Sequence, residues 1–371
     1  MTARLLLVTN DFPPRVGGIQ SYLHNVYRRL DPDRIVVLAP AHPGDVAFDR
    51  AQTFEVVRWP GRVYWPTSAL EKRVREVARS RGVDALAFGA VLPMNLIGGR
   101  LDLPTVVHTH GFEVALARLP GPAGFLRRVG RRARLVTVVA RYTERFIRRA
   151  LGSGTPIELL RTGVDLGRFH PGADGGEVRK RHRLGGAPVV VHVSRLVARK
   201  GQDELIRAMP LVRRSVPDAV ALIVGDGPAE RRLARLARSE GAGDSVVFAG
   251  GAGEGELAAH YAAGDAFAMP CRSRFGGLEV EGLGLVYLEA QACGRPAIAG
   301  DSGGAPEAVI PGETGFVVPG RDHRALAARI VELLGDPARA RAMGEAGRRF
   351  VEADHRWEDV VARYRGMLER I

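Results

Sequence analysis

Glu281 and Glu289 stand eight residues apart in the run Glu279-Val280-Glu281-Gly282-Leu283-Gly284-Leu285-Val286-Tyr287-Leu288-Glu289-Ala290. Eight residues span ~12 Å along a helix. Gly282 and Gly284 put the helix start close by, so Glu281 is expected at a loop mouth and Glu289 about two turns in. A carboxylate accepts hydrogen bonds from sugar hydroxyls. Two at this separation could hold a hexose and a ribose at opposite ends of one nucleotide sugar. The plainer alternative is two solvated glutamates on a surface helix. Against it, Glu289 lies among Val286, Leu288, Ala290 and Ala292, poor surroundings for an unpaired charge.

Cationic groups occur at two strand-to-helix junctions or near them. Ser194-Arg195-Leu196-Val197-Ala198-Arg199-Lys200-Gly201 follows an apolar run at 188–193, and ligands of open parallel sheets bind where strands end. Arg195 as a fork and Lys200 as a point charge can flank a diphosphate. Lysine is rare here: Lys72, Lys180 and Lys200 are the only three, so one at such a position is informative. Near the N-terminus, Asn10-Asp11-Phe12-Pro13-Pro14-Arg15-Val16-Gly17-Gly18-Ile19-Gln20 places two glycines just before a helical pattern, and bare N–H groups at a helix start suit a phosphate. The spacing is not GxGxxG, so no dinucleotide fingerprint is present and a nicotinamide-dependent oxidoreductase is disfavoured. His110 follows a strand-like run at 105–109, which also brings it to a strand end, although a lone histidine is more often structural. Asp31-Pro32-Asp33 is the sole Asp-x-Asp and reads as a turn after a helix. Cys271 and Cys293 form neither a metal spacing nor a disulfide framework. No metal and no cofactor is expected.

These residues need a scaffold of alternating strands and helices. Short, mostly apolar runs at 4–9, 34–39, 53–58, 85–88, 105–109 and 135–139 are separated by helical patterns at 19–30, 68–81 and 141–151. The second half repeats the plan, with runs at 188–193, 219–224, 246–249, 266–269 and 296–299 and helical patterns at 202–214, 228–238, 284–293 and 324–334. Near-continuous apolar strands imply parallel sheets covered on both faces. The fold class is therefore α/β, with two Rossmann-like doubly wound domains facing across a cleft. The 371 residues suit two domains. Their expected extents are 1–170 and 176–355, with 356–371 a helix whose apolar face (Trp357, Val360, Val361, Tyr364, Met367, Leu368) packs back on the first domain.

Charge is uneven: residues 1–170 carry 26 Lys/Arg against 14 Asp/Glu, the remainder 28 against 27. The basic first half points to an anionic partner there. Tyr64 and Trp65 precede a helix with Leu70, Val74 and Val77 on one face and Lys72, Arg73, Arg75, Arg79 and Arg81 around it. A second basic group is Arg127, Arg128, Arg131, Arg132 and Arg134, near Phe125 and Leu126. Basic amphipathic helices with an aromatic anchor suit anionic lipid headgroups, so Trp65, Lys72, Arg73, Arg75 and Arg79 are candidate membrane contacts. A nucleic-acid-binding protein is the remote alternative; the aromatics do not interleave with the basic clusters and no known binding module appears. No run of about 18 apolar residues or signal-type segment is evident, so a cytoplasmic protein lying peripherally on the inner face of the plasma membrane is expected.

Taken in order, Gly17-Gly18, the Arg195/Lys200 loop and the Glu281–Glu289 pair resemble glycosyltransferase family 4, of the GT-B fold. The resemblance covers essentially the whole chain. It is closest to the actinobacterial phosphatidylinositol monomannoside mannosyltransferases of the PimB type, through Asn10-Asp11-Phe12-Pro13-Pro14, Gly18-Ile19-Gln20-Ser21-Tyr22-Leu23, Arg199-Lys200-Gly201-Gln202 and Ser302-Gly303-Gly304-Ala305-Pro306-Glu307. It implies a retaining, metal-independent transfer of mannose from GDP-mannose to a phosphatidylinositol mannoside, with a lipid-linked acceptor and an anionic membrane surface as partners and no nucleic acid. Another donor, or a glycan acceptor, is the alternative within the family. It implies that Gly18, Arg195 and Lys200 hold the donor diphosphate, Glu289 the ribose and Glu281 the sugar hydroxyls. Gly284, Leu285 and Val286 complete the donor site, His110 lies beside the transferred sugar, and Asp11 and Gln20 bind the acceptor. The catalytic set is His110, Arg195, Lys200 and Glu281. Phe112 stands where the resembled group carries histidine, and Val91-Leu92-Pro93-Met94-Asn95 also departs from its pattern. No second carboxylate is evident opposite Glu281 for a double displacement, so same-face attack is expected, with the departing phosphate taking the acceptor proton.

Overall fold

A computed structural model of the chain describes residues 3–61 and 63–371. It divides into two compact units, Met1–Gly163 with Trp357–Ile371, and Val164–Arg356.

In the first unit the strands are β1 (Leu5–Val8), β2 (Ile35–Pro40), β3 (Glu55–Trp59), β4 (Ala85–Phe88), β5 (Thr105–His108), β6 (Ala133–Val138) and β7 (Ile157–Leu159). Its helices are α1 (Gly18–Tyr27), α2 (Asp45–Arg50), α3 (Ser68–Ser80), α4 (Glu113–Arg118), α5 (Pro120–Gly130) and α6 (Arg141–Leu151). All neighbouring strands pair in parallel, in the order β3-β2-β1-β4-β5-β6-β7. Leu5, Leu6, Leu7 and Val8 are all buried, because helices cover both sheet faces and leave no solvent side. The chain travels outward from β1 to β3 and then resumes at β4 on the other side. The carboxyl ends of β1 and β4 therefore flank a topological switch point, where a parallel sheet opens a crevice.

On one face, Leu70, Val74, Val77 and Ala78 of α3 join Leu6, Val8, Val36, Leu38, Leu86 and Phe88 in a core cluster. The apolar stripe of this basic amphipathic helix is thus spent on the unit's own interior. Tyr64 is likewise buried, its N–H donating to Asn10 Oδ1 at 2.6 Å.

On the other face lies α14 (Trp357–Leu368), with Trp357, Val360, Val361, Tyr364, Met367 and Leu368 buried in the cluster that contains α1. This bears out the return of the C-terminal helix to the first unit. Gly163 makes room for it: a Cβ there would lie 2.4 Å from the Trp357 indole. The Tyr364 hydroxyl reaches Tyr27 Oη at 3.1 Å and His108 Nε2 at 3.2 Å, and His108 Nδ1 meets Thr137 Oγ1 at 2.8 Å. Burial, and second the neighbouring His110, push the His108 imidazole down to about 3, so it is neutral.

The second unit contains α7 (Gly176–Arg181), β8 (Val189–Val193), α8 (Gln202–Val212), β9 (Val220–Val224), α9 (Glu230–Ser239), β10 (Val246–Gly250), α10 (Leu257–Ala262) and β11 (Ala266–Met269). It continues with α11 (Leu285–Ala292), β12 (Ala297–Gly300), β13 (Gly315–Val318), α12 (His323–Gly335) and α13 (Pro337–Asp354). The parallel order is β10-β9-β8-β11-β12-β13, which puts the switch point between β8 and β11. The α/β class and the two doubly wound sheets expected from the alternation are what the chain forms.

Trp357→Ala is expected to lower unfolding free energy by about 3–5 kcal/mol, the usual cost of deleting a buried indole. Urea denaturation followed by circular dichroism measures it, and a change below 1 kcal/mol would contradict the packing role of α14.

Candidate active site

The switch point of the second unit brings together the loops after β8 and β11. Gly201 ends the first loop at φ 81°; a Cβ there would lie 2.1 Å from the Pro270 carbonyl oxygen of the second. The loops can pack this closely only through glycine. The Arg272 N–H donates to the Arg199 carbonyl at 2.8 Å, and the buried Arg272 guanidinium is paired with Asp203 Oδ2 at 2.7 Å. Gln202, fully buried, donates to Ser194 Oγ at 2.9 Å and to the Arg195 carbonyl at 3.1 Å. Both loops are thereby fixed from beneath.

On this platform Lys200 Nζ donates to Glu281 Oε2 at 2.7 Å, and Arg199 Nη1 binds the same oxygen. Arg199 Nε also faces Glu279 Oε1 at 3.7 Å, and Arg274 Nη1 donates to Glu279 Oε2 at 3.0 Å. The Glu281 N–H donates to Ser302 Oγ at 3.1 Å. The Glu281 carboxyl is 7% exposed. Burial pushes its pKa up, but the Lys200 ammonium and Arg199 guanidinium more than offset this and hold it below the ordinary carboxylate range. Two cations therefore share one carboxylate. Arg195 stands exposed on the same loop, so the mouth carries surplus positive charge. At ~4 Å and an effective dielectric near 20, a further anionic oxygen gains about 4 kcal/mol of Coulomb attraction per cation before desolvation. The arrangement can grip a diphosphate and stabilise charge that grows on it.

Gly284, at φ 85°, caps α11, and Leu285 and Val286 form its first two residues, half-buried. The helix begins at Leu285, so Glu289 lies one turn in and not two; the glycines keep residues 282–284 out of the helix. Its Oε2 accepts from the buried Tyr261 hydroxyl at 2.7 Å. Arg199, Glu279, Tyr261 and Ser302 take no role from the sequence alone, although Arg199 and Ser302 stand in motifs that carry the family resemblance. Adjacency to Lys200 and two-residue spacing from Glu281 were the available signals for the first two.

In the first unit, Asp11 follows β1 and accepts from Gln20 Nε2 at 2.7 Å. Burial raises the Asp11 carboxyl, opposed by Arg15. Gly18 is the first residue of α1, and Gly17 leaves space that Gln20 Oε1 takes: a Cβ at Gly17 would meet that oxygen at 2.2 Å. His110 follows β5. Its Nε2 lies 2.7 Å from the Gly89 carbonyl after β4, and its ring packs edge-on to Tyr22 at 5.5 Å between centroids. Burial pushes its imidazole down to about 4. Asp11, Gln20 and His110 thus lie at or near the carboxyl ends of β1 and β5, a group with far less positive charge than the loops of the second unit.

The candidate membrane residues divide. Trp65 is 66% exposed, and Lys72 and Arg79 are exposed. Arg73 is half-buried and pairs with Glu76 at 3.5 Å. Arg75 turns inward to Glu71 at 3.0 Å and to the Arg100 carbonyl, which weakens its claim to contact lipid.

Residues 16–168 match the description "Glycosyltransferase Family 4" and residues 176–350 match "Glycosyl transferases group 1". The GDP-mannose-dependent alpha-(1-6)-phosphatidylinositol monomannoside mannosyltransferase of Mycobacterium tuberculosis is 46% identical, over 99% of this chain and 98% of its own. The chain belongs to glycosyltransferase family 4. A GDP-mannose-dependent monoacylated alpha-(1-6)-phosphatidylinositol monomannoside mannosyltransferase of Corynebacterium glutamicum is 45% identical, over 99% and 98%. Among solved structures, Anabaena HepE in complex with UDP and glucose superposes with a TM-score of 0.84 at 20% identity, covering 99% of this chain and all of that one, which agrees with the GT-B fold. This family 4 enzyme is therefore a glycosyltransferase, as its motifs led one to expect. Among the described residues no cluster of three potential metal ligands occurs and no helix is long and apolar enough to cross a membrane.

Because the folded Glu281 carboxyl lies below its unfolded value, its contribution to stability is present above about pH 4.5 and lost as pH falls through the folded value. Glu281→Gln should cost about 2 kcal/mol at pH 7, on the low side for a buried pair because Arg199 is partly exposed. Thermal melts should show the difference from wild type shrinking below pH 4; a constant difference across pH would contradict the ion-pair assignment.

Proposed function

We propose that this enzyme transfers mannose from GDP-mannose to a phosphatidylinositol mannoside, forming an α-1,6 linkage with retention, while lying peripherally on the inner face of the plasma membrane. The observation that carries the donor half is the Lys200–Glu281–Arg199 cluster at the switch point of the second unit. The sugar and acceptor rest on full-length relatives at 45–46% identity whose names specify them.

Lys200 and Arg195 neutralise the leaving diphosphate, and the helix start at Gly18 offers N–H groups suited to a phosphate. Glu281 orients Lys200 and accepts from sugar hydroxyls, and Gly284, Leu285 and Val286 bring the start of α11 to the donor. Glu289, steadied by Tyr261, accepts from the ribose. Asp11 and Gln20 receive the acceptor, and His110 lies beside the transferred sugar as a neutral group. The bond between C1 and the β-phosphate oxygen breaks as an acceptor hydroxyl oxygen bonds to C1 on the same face. That hydroxyl's proton passes to the departing phosphate. No charged base is required, which suits a first-unit site whose histidine burial keeps neutral.

Lys200→Ala should lower turnover of GDP-mannose by about 100-fold or more, the scale of losing one preorganised group that stabilises transition-state charge. Product mass spectrometry with a phosphatidylinositol mannoside acceptor measures it. Activity within a few-fold of wild type would sink the assignment, and faster turnover of UDP-glucose or UDP-GlcNAc would sink the donor. A second reading keeps the donor and changes the acceptor; it is favoured by Phe112, 44% exposed on the turn beside His110. Its test is product formation with a soluble glycan acceptor exceeding that with the lipid.

Membrane docking should be mainly electrostatic with one aromatic anchor, since the α3 stripe is buried. Co-sedimentation with vesicles containing phosphatidylinositol should exceed that with neutral vesicles. Trp65→Ser combined with Lys72→Ser and Arg79→Ser should reduce it severalfold. Binding indifferent to anionic lipid would overturn this surface.

A further inference from the structure

Glu113 opens α4, and its side chain is fully buried. Its Oε2 accepts from the N–H of His110 at 3.0 Å and of Gly111 at 2.9 Å, and Gly111 adopts φ 109° to close the turn. Burial pushes the carboxyl up to about 7; only the backbone N–H groups of Glu113, His110, Gly111 and Val91 oppose it. His110, Tyr22 and, behind His110, His108 lie by the turn; α5 and α6, which pack against α4, carry Arg127 and Arg128, and Arg141, Glu144, Arg145, Arg148 and Arg149, yet no charged side chain among them offsets the burial of Glu113. Burial holds His110 at about 4 and His108 at about 3, and raises the Tyr22 hydroxyl beyond its usual range. None of these supplies a countercharge at neutral pH. A neutral Asn or Ser could satisfy a turn's N–H groups without burying a carboxylate, so a purely architectural role leaves the acid unexplained.

The turn fixes His110 at three points. Its backbone is tied to Glu113, its Nε2 to the Gly89 carbonyl and its ring edge to Tyr22. With Nε2–H donating to that carbonyl, Nδ1 carries the lone pair. We infer that Glu113 is a positioning residue of the transfer reaction: its carboxylate holds the His110–Gly111 turn so that His110 keeps one orientation at the transferred sugar. This rests on the placement of His110 proposed above.

The test compares wild type, Glu113→Gln, His110→Ala and the double variant, measuring kcat and KM for GDP-mannose in the transfer assay from pH 5.5 to 8.5, with thermal melts alongside. Wild-type kcat should rise with pH through about 7 as Glu113 ionises. In Glu113→Gln that limb should flatten, with kcat lower by about 10–100-fold, the scale of a sub-ångström to 1 Å misplacement. KM should change less than about threefold, because the proposed donor grip lies in the other unit. The double variant should be no worse than His110→Ala alone, as for two residues acting as one unit.

A merely structural residue would lose melting temperature and activity together. Here the raised pKa means that the ionised acid costs stability as pH rises through about 7, so Glu113→Gln should melt no lower than wild type at pH 8. Unchanged kcat and pH profile in Glu113→Gln, a parallel loss of melting temperature, or multiplied losses in the double variant would each overturn the inference. Full activity of His110→Ala would overturn it through the His110 placement. Absence of mannosyl transfer by wild type would instead sink the proposed function.

Discussion

Two cations on one buried carboxylate are the arrangement on which the loop platform of the second unit depends. Lys200 and Arg199 come from the loop after β8, and Glu281 from the segment after β11. The carboxylate cannot stay ionised at such burial without them. They in turn would repel one another without it. The pair therefore couples two loops separated by 80 residues of chain, and Gly201 permits the contact by giving up its side chain. Everything placed beyond it, including the Gly284 cap and the first turn of α11, inherits its position from that coupling.

The first unit reaches a similar topological position by different physics. Its switch-point groups are Asp11, Gln20 and His110, held by hydrogen bonds to an amide, a carboxylate and a carbonyl. Burial lowers the histidine and raises the carboxyls of Asp11 and Glu113. In the second unit Lys200 and Arg199 hold the buried Glu281 below the ordinary carboxylate range. One doubly wound topology thus carries two different sets of loop side chains, as expected if chemistry resides in the loops and not in the sheet.

The strands were legible because burial on both faces leaves them almost uninterrupted Val, Leu, Ile and Ala: residues 85–88 and 266–269 were located to the residue. β7, three residues with Glu158 in the middle, lacks that signature, and Gly315–Val318 of β13 opens on a glycine in the run Pro311-Gly312-Glu313-Thr314-Gly315 and stops at Pro319-Gly320, so its three apolar residues read as part of a turn-rich segment. Helix α5 opens Pro120-Gly121-Pro122-Ala123-Gly124, residues that read as breakers although proline fits a first turn. Helix α13 buries Ala340, Gly344, Ala346 and Gly347, small residues that permit close packing yet give no large apolar period. At the site, residue types at strand ends were readable, but partnership was not. Arg199 could not be told from a solvated arginine in a chain where arginine is the default, and Glu113 could not be told from an ordinary first-turn acid. Burial decides both, and burial is a property of tertiary packing.

Net charge is a poor guide to where cationic groups concentrate. The excess of basic residues lies in 1–170, whereas residues 171–371 are nearly balanced, yet the second unit carries the concentrated cationic loop. What matters there is local: Glu281 and Glu279 compensate only part of Arg199, Lys200, Arg274 and Arg195, and the low-dielectric platform beneath keeps the remainder strong. The diffuse charge of the first unit acts over a Debye length of about 8–10 Å. It can draw the molecule to an anionic surface without orienting anything. With the apolar face of α3 committed to the core, the docking proposed above divides the work between that long-range term, which would gather the enzyme at the surface, and the exposed Trp65, which would fix where it touches.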